Sequence, residues 1–283
     1  MGDVSVIGLG LMGAALARTL QTSGYKITVW NRSSSKMQAL ISRGAIGASS
    51  ITEAIRSSPV ILVCLTSYQV TKELFATEDV RNELTDRLVV QLSTGTPEDA
   101  IESKRWFEKF NADYLDGAIW ASVKDVGTGN GKLLIGGDKQ AWLACHDMLD
   151  PLLGNVQYTG ENIDTPAILD LAWLSQRLGL YLGVFQGLLI CQAGGVGADV
   201  FASTVAADER IGMIANSIHA NDYGNPSSTV NVWGSALSLI LKQAQKTGAK
   251  SEVLDFMDAK FQRAKSLGYG EEDVAALMKV FRE

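Results

Sequence analysis

Three glycines near the start of the chain constrain its fold more than any other feature. Gly8, Gly10 and Gly13 follow the apolar segment VSVI in the pattern GxGxxG. After a strand and before a helix, this pattern permits a tight turn, close approach of the backbone to a pyrophosphate, and close packing of helix on strand. The first helical turn would present unpaired N–H groups to the phosphates. We therefore expect a dinucleotide site here rather than a glycine-rich turn without a ligand. Its expected contacts are Gly8, Leu9, Gly10, Leu11, Met12 and Gly13.

The end of the next apolar segment indicates which dinucleotide binds. An NAD-binding unit carries Asp or Glu at this point, which holds the ribose 2′-hydroxyl and would repel a 2′-phosphate. This chain has Asn31, Arg32 and Ser33, with Lys36 one helical turn later. Arg32 can pair with a phosphate through charge-assisted hydrogen bonds, although a solvated surface arginine is the alternative. The four residues favour NADPH over NADH.

Two further strand ends are expected to line the same crevice, because ligands bind at the carboxyl ends of parallel strands. One comprises Cys64, Leu65 and Thr66, and the other Ser93 and Thr94. Their polar groups could bind the nicotinamide ribose or carboxamide. Ordinary turn-forming residues are the alternative.

The order of patterns along the chain predicts an α/β fold. Up to about residue 160, short apolar runs alternate with helical patterns, which is typical of a parallel, doubly wound Rossmann sheet. Strands are expected at 131–135 and near Val156, with no helix assigned between them. After residue 160 only helical patterns follow, one of them over 200–217. We therefore predict a cofactor-binding domain over 1–160, a long interdomain helix over 161–192 and an all-helical dimerisation and substrate domain over 193–283.

The long helix suggests a dimer. A helix of about 27 residues is roughly 40 Å long, more than one small helical domain can cover. We expect a domain-swapped homodimer in which each C-terminal domain wraps the partner's helix. A monomer with a helix broken at Gly179 or Gly183 is the alternative. Polar and glycine interruptions between Leu178 and Cys191 lead us to expect a helix buried in protein, too short and too polar for a membrane span.

Composition excludes several classes of partner. The net charge is −6 and no basic run occurs, which argues against nucleic acid and anionic membranes. Three widely spaced cysteines predict reduced thiols in a cytoplasmic protein, and we see no targeting segment. With two histidines and no clustered carboxylates, we expect no metal.

Several segments together resemble a known family. GLGLMG, WNRS, QLSTGTPEDA, YLDGAI and the long helix are similar to the β-hydroxyacid dehydrogenase superfamily, and within it to the imine reductases. The similarity covers nearly the whole chain. The glycine pattern is general, whereas STGTP and the helix are the imine-reductase-like features.

The resemblance implies a change of catalytic residue. The hydroxyacid dehydrogenases use a lysine on the long helix and an asparagine one turn later, where this chain has Asp170 and Leu174. Trp120 stands at the position of their strand-end serine. Imine reductases carry Asp or Tyr at the lysine position, and Asn162, eight residues upstream, also matches them.

The chemistry of C=N reduction suits a carboxyl at position 170. A carboxylate stabilises a cationic iminium, and a protonated carboxyl, its pKa raised by burial, could deliver the proton. Asp170 also lies near a helix N-terminus, where the helix dipole alone favours an acidic residue. Both interpretations stay open at this point.

The chain also departs from the family. The segment from Trp120 to Lys124 lacks the usual small-residue and proline pattern. Bulky aromatic residues could form a pocket for a flat aromatic substrate or cation, with aromatic core packing as the alternative. His219 could be a second proton donor or an ordinary histidine at a helix end. The predicted substrate-binding residues are Trp120, Ser122, Trp173, Tyr181, His219, Tyr223 and Trp233.

These observations predict an NADPH-dependent reductase that converts a cyclic or bulky aromatic imine or iminium into an amine, in secondary-metabolite biosynthesis. A carbonyl reductase of the β-hydroxyacid dehydrogenase type is a second possibility. A non-catalytic NADP-binding protein is the third.

Overall fold

The computed structural model describes residues 2–205 and 209–283. Its contacts divide the chain into two compact units, Met1–Asp170 and Leu171–Glu283. This division falls inside a long helix, after Asp170.

The first unit is built on one sheet of eight strands. They are β1 (Val4–Ile7), β2 (Ile27–Trp30), β3 (Ile46–Gly47), β4 (Val60–Val63), β5 (Leu88–Gln91), β6 (Asp113–Trp120), β7 (Lys132–Gly137) and β8 (Val156–Tyr158). Their order across the sheet is β3-β2-β1-β4-β5-β6-β7-β8, which places the end of β1 beside those of β2 and β4.

The last two strands of the sheet, β7 and β8, run against the other six, so the prediction of a parallel sheet is wrong at this point. β7 pairs antiparallel with β6, and all other neighbouring strands pair in parallel. Only residues 121–131 separate β6 from β7. A parallel crossover needs a dozen or more residues, usually including a helix, so this short connection returns the chain in the opposite direction.

Helices surround the sheet. In the first unit they are α1 (Leu11–Thr22), α2 (Gln38–Ile41), α3 (Ile51–Arg56), α4 (Tyr68–Phe75), α5 (Glu78–Arg81), α6 (Pro97–Glu108) and α7 (Lys139–Leu153). The sequence interpretation omitted α7. Its boundaries are nevertheless well marked, because the Asp138 carboxylate accepts from the N–H groups of Gln140 and Ala141, and Gly154 ends the helix at φ = +66°.

The strands are buried on both faces, as a doubly wound sheet requires. Alternate residues of β4 separate between two apolar clusters. Leu62 packs with Leu16 and Leu20 of α1, whereas Ile61 packs with Phe75 and residues of α6. The Rossmann prediction for the first unit is confirmed.

The second unit is helical. Its helices follow α8 (Thr165–Ala193) as α9 (Ala198–Val205), α10 (Glu209–Ala220), α11 (Val230–Thr247), α12 (Glu252–Ser266) and α13 (Leu277–Phe281). The single helix predicted over 200–217 is therefore divided into α9 and α10, and residues 206–208 of that prediction lie outside the described residues. Over 161–205 and 209–283 the structure has no strand, only one isolated bridge between Thr229 and Asp273.

The long helix α8 has 29 residues and begins at Thr165, four residues after the predicted start at 161. Among the described residues it alone is long and apolar enough, by length and composition, to cross a membrane, with a mean hydropathy of 1.2 over its best window. The expectation that it is too short and too polar is therefore wrong on those two counts. A core helix passes the same test, but only 28% of that window is buried in the single chain.

Candidate active site

The glycine turn between β1 and α1 is tightly packed at two of its three positions. Gly8 has φ = +96°, and a Cβ there would lie 2.2 Å from the carbonyl oxygen of Cys64. A Cβ at Gly13 would lie 2.0 Å from the oxygen of Gly8. These two glycines are therefore required by the protein's own packing.

Gly10 has a different explanation. A Cβ built there would meet no described protein atom within 4 Å, and its φ of −66° suits any residue. Neither packing nor backbone conformation requires a glycine at this position. Close approach of a ligand to the backbone does, as in dinucleotide-binding turns.

The N-terminus of α1 adjoins Gly10 and can accept an anion. Gly10 is its N-cap, and no side chain of the described residues caps it. The adjacent Leu11 is 72% exposed. The first N–H groups of α1 thus point outward with the positive end of the helix dipole, a fit for a pyrophosphate.

Asn31 ties the glycine turn to the end of β2. Its Oδ1 accepts from the backbone N–H of Leu9 at 2.9 Å, and its Nδ2 donates to the carbonyl of Ser33 at 3.1 Å. The side chain predicted as a cofactor contact is thus used inside the protein. Arg32, Ser33 and Lys36 are exposed beside it and free of the packed interior.

The ends of β4 and β5 are joined by a buried serine. Ser93 Oγ accepts from the N–H of Leu65 at 2.9 Å and donates to Gln91 Oε1 at 3.0 Å. The Ser93 hydroxyl therefore holds two strand ends together, whereas Thr66 and Thr94 are exposed at the same edge. Burial raises the pKa of the Cys64 thiol to about 12, so Cys64 is a neutral packing residue.

Asp170 is the last residue of the first unit and is 5% exposed. Trp120 Nε1 donates to its Oδ1 at 3.2 Å, and the Thr94 hydroxyl donates to the same carboxyl. Burial raises the pKa of Asp170 to about 7, although both hydrogen bonds lower it. Protonated and charged forms are therefore both populated near neutral pH.

A second buried carboxyl was not anticipated from the sequence. Asp116, in the middle of β6, is 1% exposed and accepts from the hydroxyl of Tyr68 and, at 3.3 Å, from that of Tyr114. Burial, together with the charges of Asp170 and Asp99, raises the pKa of Asp116 to about 8. An aspartate inside the apolar segment YLDGAI was the available signal, because buried carboxyls are costly and cluster at functional sites.

The residues after β6 form a short capped turn. Ser122 caps the 3₁₀ turn Val123–Asp125, and its hydroxyl donates to Asp125 Oδ2 at 2.6 Å. Ser122, predicted to bind substrate, thus serves local structure. Lys132 Nζ lies 5.8 Å from the ring centroid of Trp120, on the adjacent strand β7.

The other predicted substrate residues belong to the second unit. Tyr181 and Trp233 meet edge to face, 4.8 Å between ring centroids, inside its hydrophobic core. Tyr223 is also in that core, with Lys279 Nζ 4.6 Å from its ring centroid. All three aromatic residues thus pack in the core of this unit, and their contact with a substrate stays a prediction.

Two buried polar atoms of that core make no hydrogen bond within the described part of the chain. Among the described residues, the buried Oη of Tyr223 and Nε1 of Trp233 have no hydrogen-bond partner. Buried polar atoms are normally satisfied, so these two are exceptions in this core.

Trp173 and His219 make separate contacts. The Arg177 guanidinium lies 5.1 Å from the ring centroid of Trp173. His219 Nδ1 lies 3.8 Å from an Asp199 oxygen, with its side chain 55% exposed. No group of three or more His, Cys, Asp or Glu among the described residues could hold a metal ion. The absence of a metal stays a prediction.

Two known families match the chain, one on each side of the change in sequence pattern near residue 160. Residues 3–160 match the family described as the NAD binding domain of 6-phosphogluconate dehydrogenase. Residues 162–283 match the family described as NADPH-dependent reductive aminase-like, C-terminal domain.

Individual relatives span the whole chain. An NADPH-dependent reductive aminase of Aspergillus oryzae is 27% identical over 99% of this chain and 97% of its own length. The solved imine reductase from Myxococcus stipitatus, in complex with NADP+, is 28% identical with a TM-score of 0.71, covering 98% of this chain and 99% of the other. The 3-hydroxyisobutyrate dehydrogenase from Salmonella typhimurium has a TM-score of 0.89 at 20% identity over 98% of this chain and 99% of its own, which shows a shared fold.

Proposed function

This chain belongs to the family of the NAD binding domain of 6-phosphogluconate dehydrogenase, and from that premise we propose that it reduces C=N bonds with NADPH. The imine-reductase resemblance seen in the sequence is confirmed by its relatives. The single observation that carries the reaction type is Asp170, a buried carboxyl held by two hydrogen-bond donors where the hydroxyacid dehydrogenases have a lysine.

The residues of the first unit fit the cofactor. The open space over Gly10 and the uncapped N-terminus of α1 would hold the pyrophosphate. Arg32, Ser33 and Lys36 are exposed at the end of β2 and would hold the 2′-phosphate, since no carboxylate stands among them. When bound, NADPH supplies the hydride.

Asp170 would donate a proton to the substrate nitrogen or stabilise a positive charge on it. In its protonated form it can donate to the nitrogen of a neutral imine, and in its charged form it stabilises an iminium cation. With a pKa of about 7, it can do either near neutral pH. Trp120 and Thr94 fix the direction of the carboxyl.

The alternatives differ in what they require. Oxidation of an alcohol, or carbonyl reduction of the hydroxyacid dehydrogenase kind, relies on the lysine that Asp170 replaces. A non-catalytic NADP-binding protein would need no buried acid of this pKa. Both alternatives are therefore less well supported than C=N reduction.

The test is NADPH oxidation, followed by absorbance, across cyclic and aryl imines, aldehydes and β-hydroxyacids. We expect turnover of imines. Turnover of aldehydes or hydroxyacids without imines would reject the proposal, and tight NADPH binding with no turnover at all would favour the non-catalytic alternative.

The substrate class is a finer proposal. We infer a cyclic or bulky aromatic imine or iminium, supported by the indole of Trp120 on Asp170. Trp173, Tyr181 and His219 remain candidates for contacts with it. A role in secondary-metabolite biosynthesis goes with this substrate class. Equal rates on small aliphatic and bulky aryl imines would contradict the inference.

We also propose a homodimer. The support is the low burial of α8 and the exposure of apolar side chains in the second unit, such as Ile190 at 64% and Val200 at 50%. Light scattering at micromolar concentration should give twice the chain mass, and a monomer mass would refute the proposal. Cytoplasmic location is likewise a proposal, consistent with three free cysteines.

A further inference from the structure

Gly95 lacks a side chain for a reason that the turn itself does not explain. It is absent from the glycines with positive φ, so its backbone conformation would accept other residues. A Cβ there would lie 2.3 Å from Cε2 and 2.4 Å from Cδ2 of Tyr68. The aromatic ring of Tyr68 therefore packs directly on the backbone of residue 95.

The opposite end of Tyr68 is anchored. Its hydroxyl donates to Oδ1 of Asp116, which also lies 3.3 Å from the hydroxyl of Tyr114. Asp116 itself is held in the sheet, where it pairs with Gln91 of β5. The Tyr68 ring is thus clamped between a rigid strand and the turn that contains Gly95.

The residues on either side of Gly95 have fixed partners. Thr96 caps α6 in a reciprocal box with Asp99. Thr94 donates its hydroxyl to Asp170. The turn from 94 to 96 therefore connects the packing of Tyr68 to the hydrogen bonding of the proposed catalytic carboxyl.

We propose that Tyr68, anchored by Asp116, is a positioning residue that acts through Gly95 and Thr94 to aim the donor that Thr94 gives to Asp170. As a statement about catalysis, this rests on the proposed function of Asp170. As a statement about geometry, it does not.

The groups that face the two carboxyls determine whether the pKa of Asp170 rises or falls when Tyr68 is changed. Asp116 faces Tyr68 from α4, Tyr114 on its own strand, Asp99 from α6 and Asp170 from α8. Asp170 faces Trp120 from β6 and Thr94 after β5. Among the described residues no ion pair is found at either carboxyl.

Loss of the Tyr68 hydroxyl has opposite effects through the two routes. Through charge alone, Asp116 would keep its proton to higher pH, and the pKa of Asp170 would fall or stay unchanged. Through position, the Thr94 donor would loosen, and the pKa of Asp170 would rise. Tyr114→Phe removes a phenolic hydroxyl from the same carboxyl oxygen but keeps the Tyr68 side chain that packs on Gly95, and is the matched control.

The experiment titrates Asp170 directly. Protein labelled with ¹³C at aspartate carboxyls is followed by NMR, with the Asp170 signal assigned by its loss in Asp170→Asn. In Tyr68→Phe we expect the pKa of Asp170 to rise by about half a unit, and the low-pH plateau of kcat on an imine to fall about threefold because the acid is no longer aimed correctly. In Tyr114→Phe we expect no rise. Gly95→Ala should raise the pKa further, and Gly95→Ala combined with Tyr68→Leu should reverse part of that rise by removing the overlap.

Thermal unfolding of each variant confirms that it folds. A rise in Tyr68→Phe with none in Tyr114→Phe supports the proposal. Equal changes in both variants, or a fall in Tyr68→Phe, would overturn it. If the wild type reduces no imine, the proposed function fails, while the titration still decides whether Tyr68 positions Thr94.

Discussion

At Asp170, burial and hydrogen bonding act on one carboxyl in opposite directions. Burial disfavours the charged form, and the donors Trp120 and Thr94 favour it. The outcome is a pKa of about 7. A general acid works best when its pKa lies near the operating pH, because it is then substantially protonated and still acidic enough to transfer its proton. The sequence could indicate Asp170 through its helix position and family resemblance. It could not indicate the pKa, which depends on side chains far away in the sequence.

Replacement of Asp170 by asparagine tests its role. Asp170→Asn keeps the shape and removes the proton and the charge, so we expect kcat on an imine to fall by about 10²-fold or more, with the Kd for NADPH unchanged. Steady-state kinetics and cofactor titration measure the two quantities. Asp164→Asn, at the start of the same helix, is the control for a helix-dipole effect. A loss of similar size in both variants would assign Asp170 a capping role.

Trp120 offers a test by pH. Because the protonated Asp170 is the acid, we expect kcat to be level at low pH and to fall as pH rises through about 7. Trp120→Phe removes a donor that stabilises the carboxylate, so the pKa should rise by about one unit and the falling limb should move to higher pH. Measurement of kcat from acid to alkaline pH checks this. A limb that stays in place or moves to lower pH would show that the indole does not stabilise the charged form.

At the scale of helices and strands, the sequence predicted the elements whose ends carry a recognisable local signal, such as a glycine turn. The turn after β1 and helix α1 follow from the glycines. The reversal of β7 and the helix α7 were missed, because the first depends on connection length and the second has an interior Pro151 that interrupts its pattern. Within the candidate site, glycine positions were predictable. The internal use of Asn31, Ser93 and Ser122 was not, since their partners are set by tertiary contacts.

In the loop after β2, different residues are expected to distinguish NADPH from NADH and to hold the glycine turn in place. Arg32→Ala should weaken NADPH about 10-fold or more through loss of a charge-assisted phosphate bond, with little change for NADH. Asn31→Ala should weaken both cofactors, because the N–H of Leu9 loses its acceptor. Fluorescence titration with each cofactor measures the four constants. If Arg32→Ala weakened NADH as much as NADPH, Arg32 would not recognise the 2′-phosphate.

At the scale of the whole molecule, two buried carboxyls link stability to pH. Asp116 and Asp170 have pKa values of about 8 and about 7 in the folded protein, against a reference of 3.8. The folded state therefore binds protons that the unfolded state has released between about pH 4 and pH 8. Their contribution to stability is complete below that range and is lost as pH rises through it.

We therefore expect the unfolding temperature of the first unit to fall between pH 5 and pH 8. Between pH 5 and pH 8 the loss is roughly 3 kcal/mol for Asp170 and roughly 4 kcal/mol for Asp116 if each shift is fully expressed. Asp116→Asn keeps an acceptor for Tyr68 and removes one titration, so its melting temperature should depend less on pH. Calorimetry of wild type and variant across this range decides the matter. Parallel pH curves would mean that Asp116 does not titrate there.

The bonds made by Asn31 also bear on how such an enzyme can change over evolution. Its amide secures the glycine turn, while Arg32, Ser33 and Lys36 lie outside that network on an exposed loop. Mutations at these exposed positions can therefore accumulate without disrupting the glycine turn. Cofactor preference in this chain should be open to rapid selection, and a library confined to residues 32–36 is the natural starting point for an NADH-dependent variant.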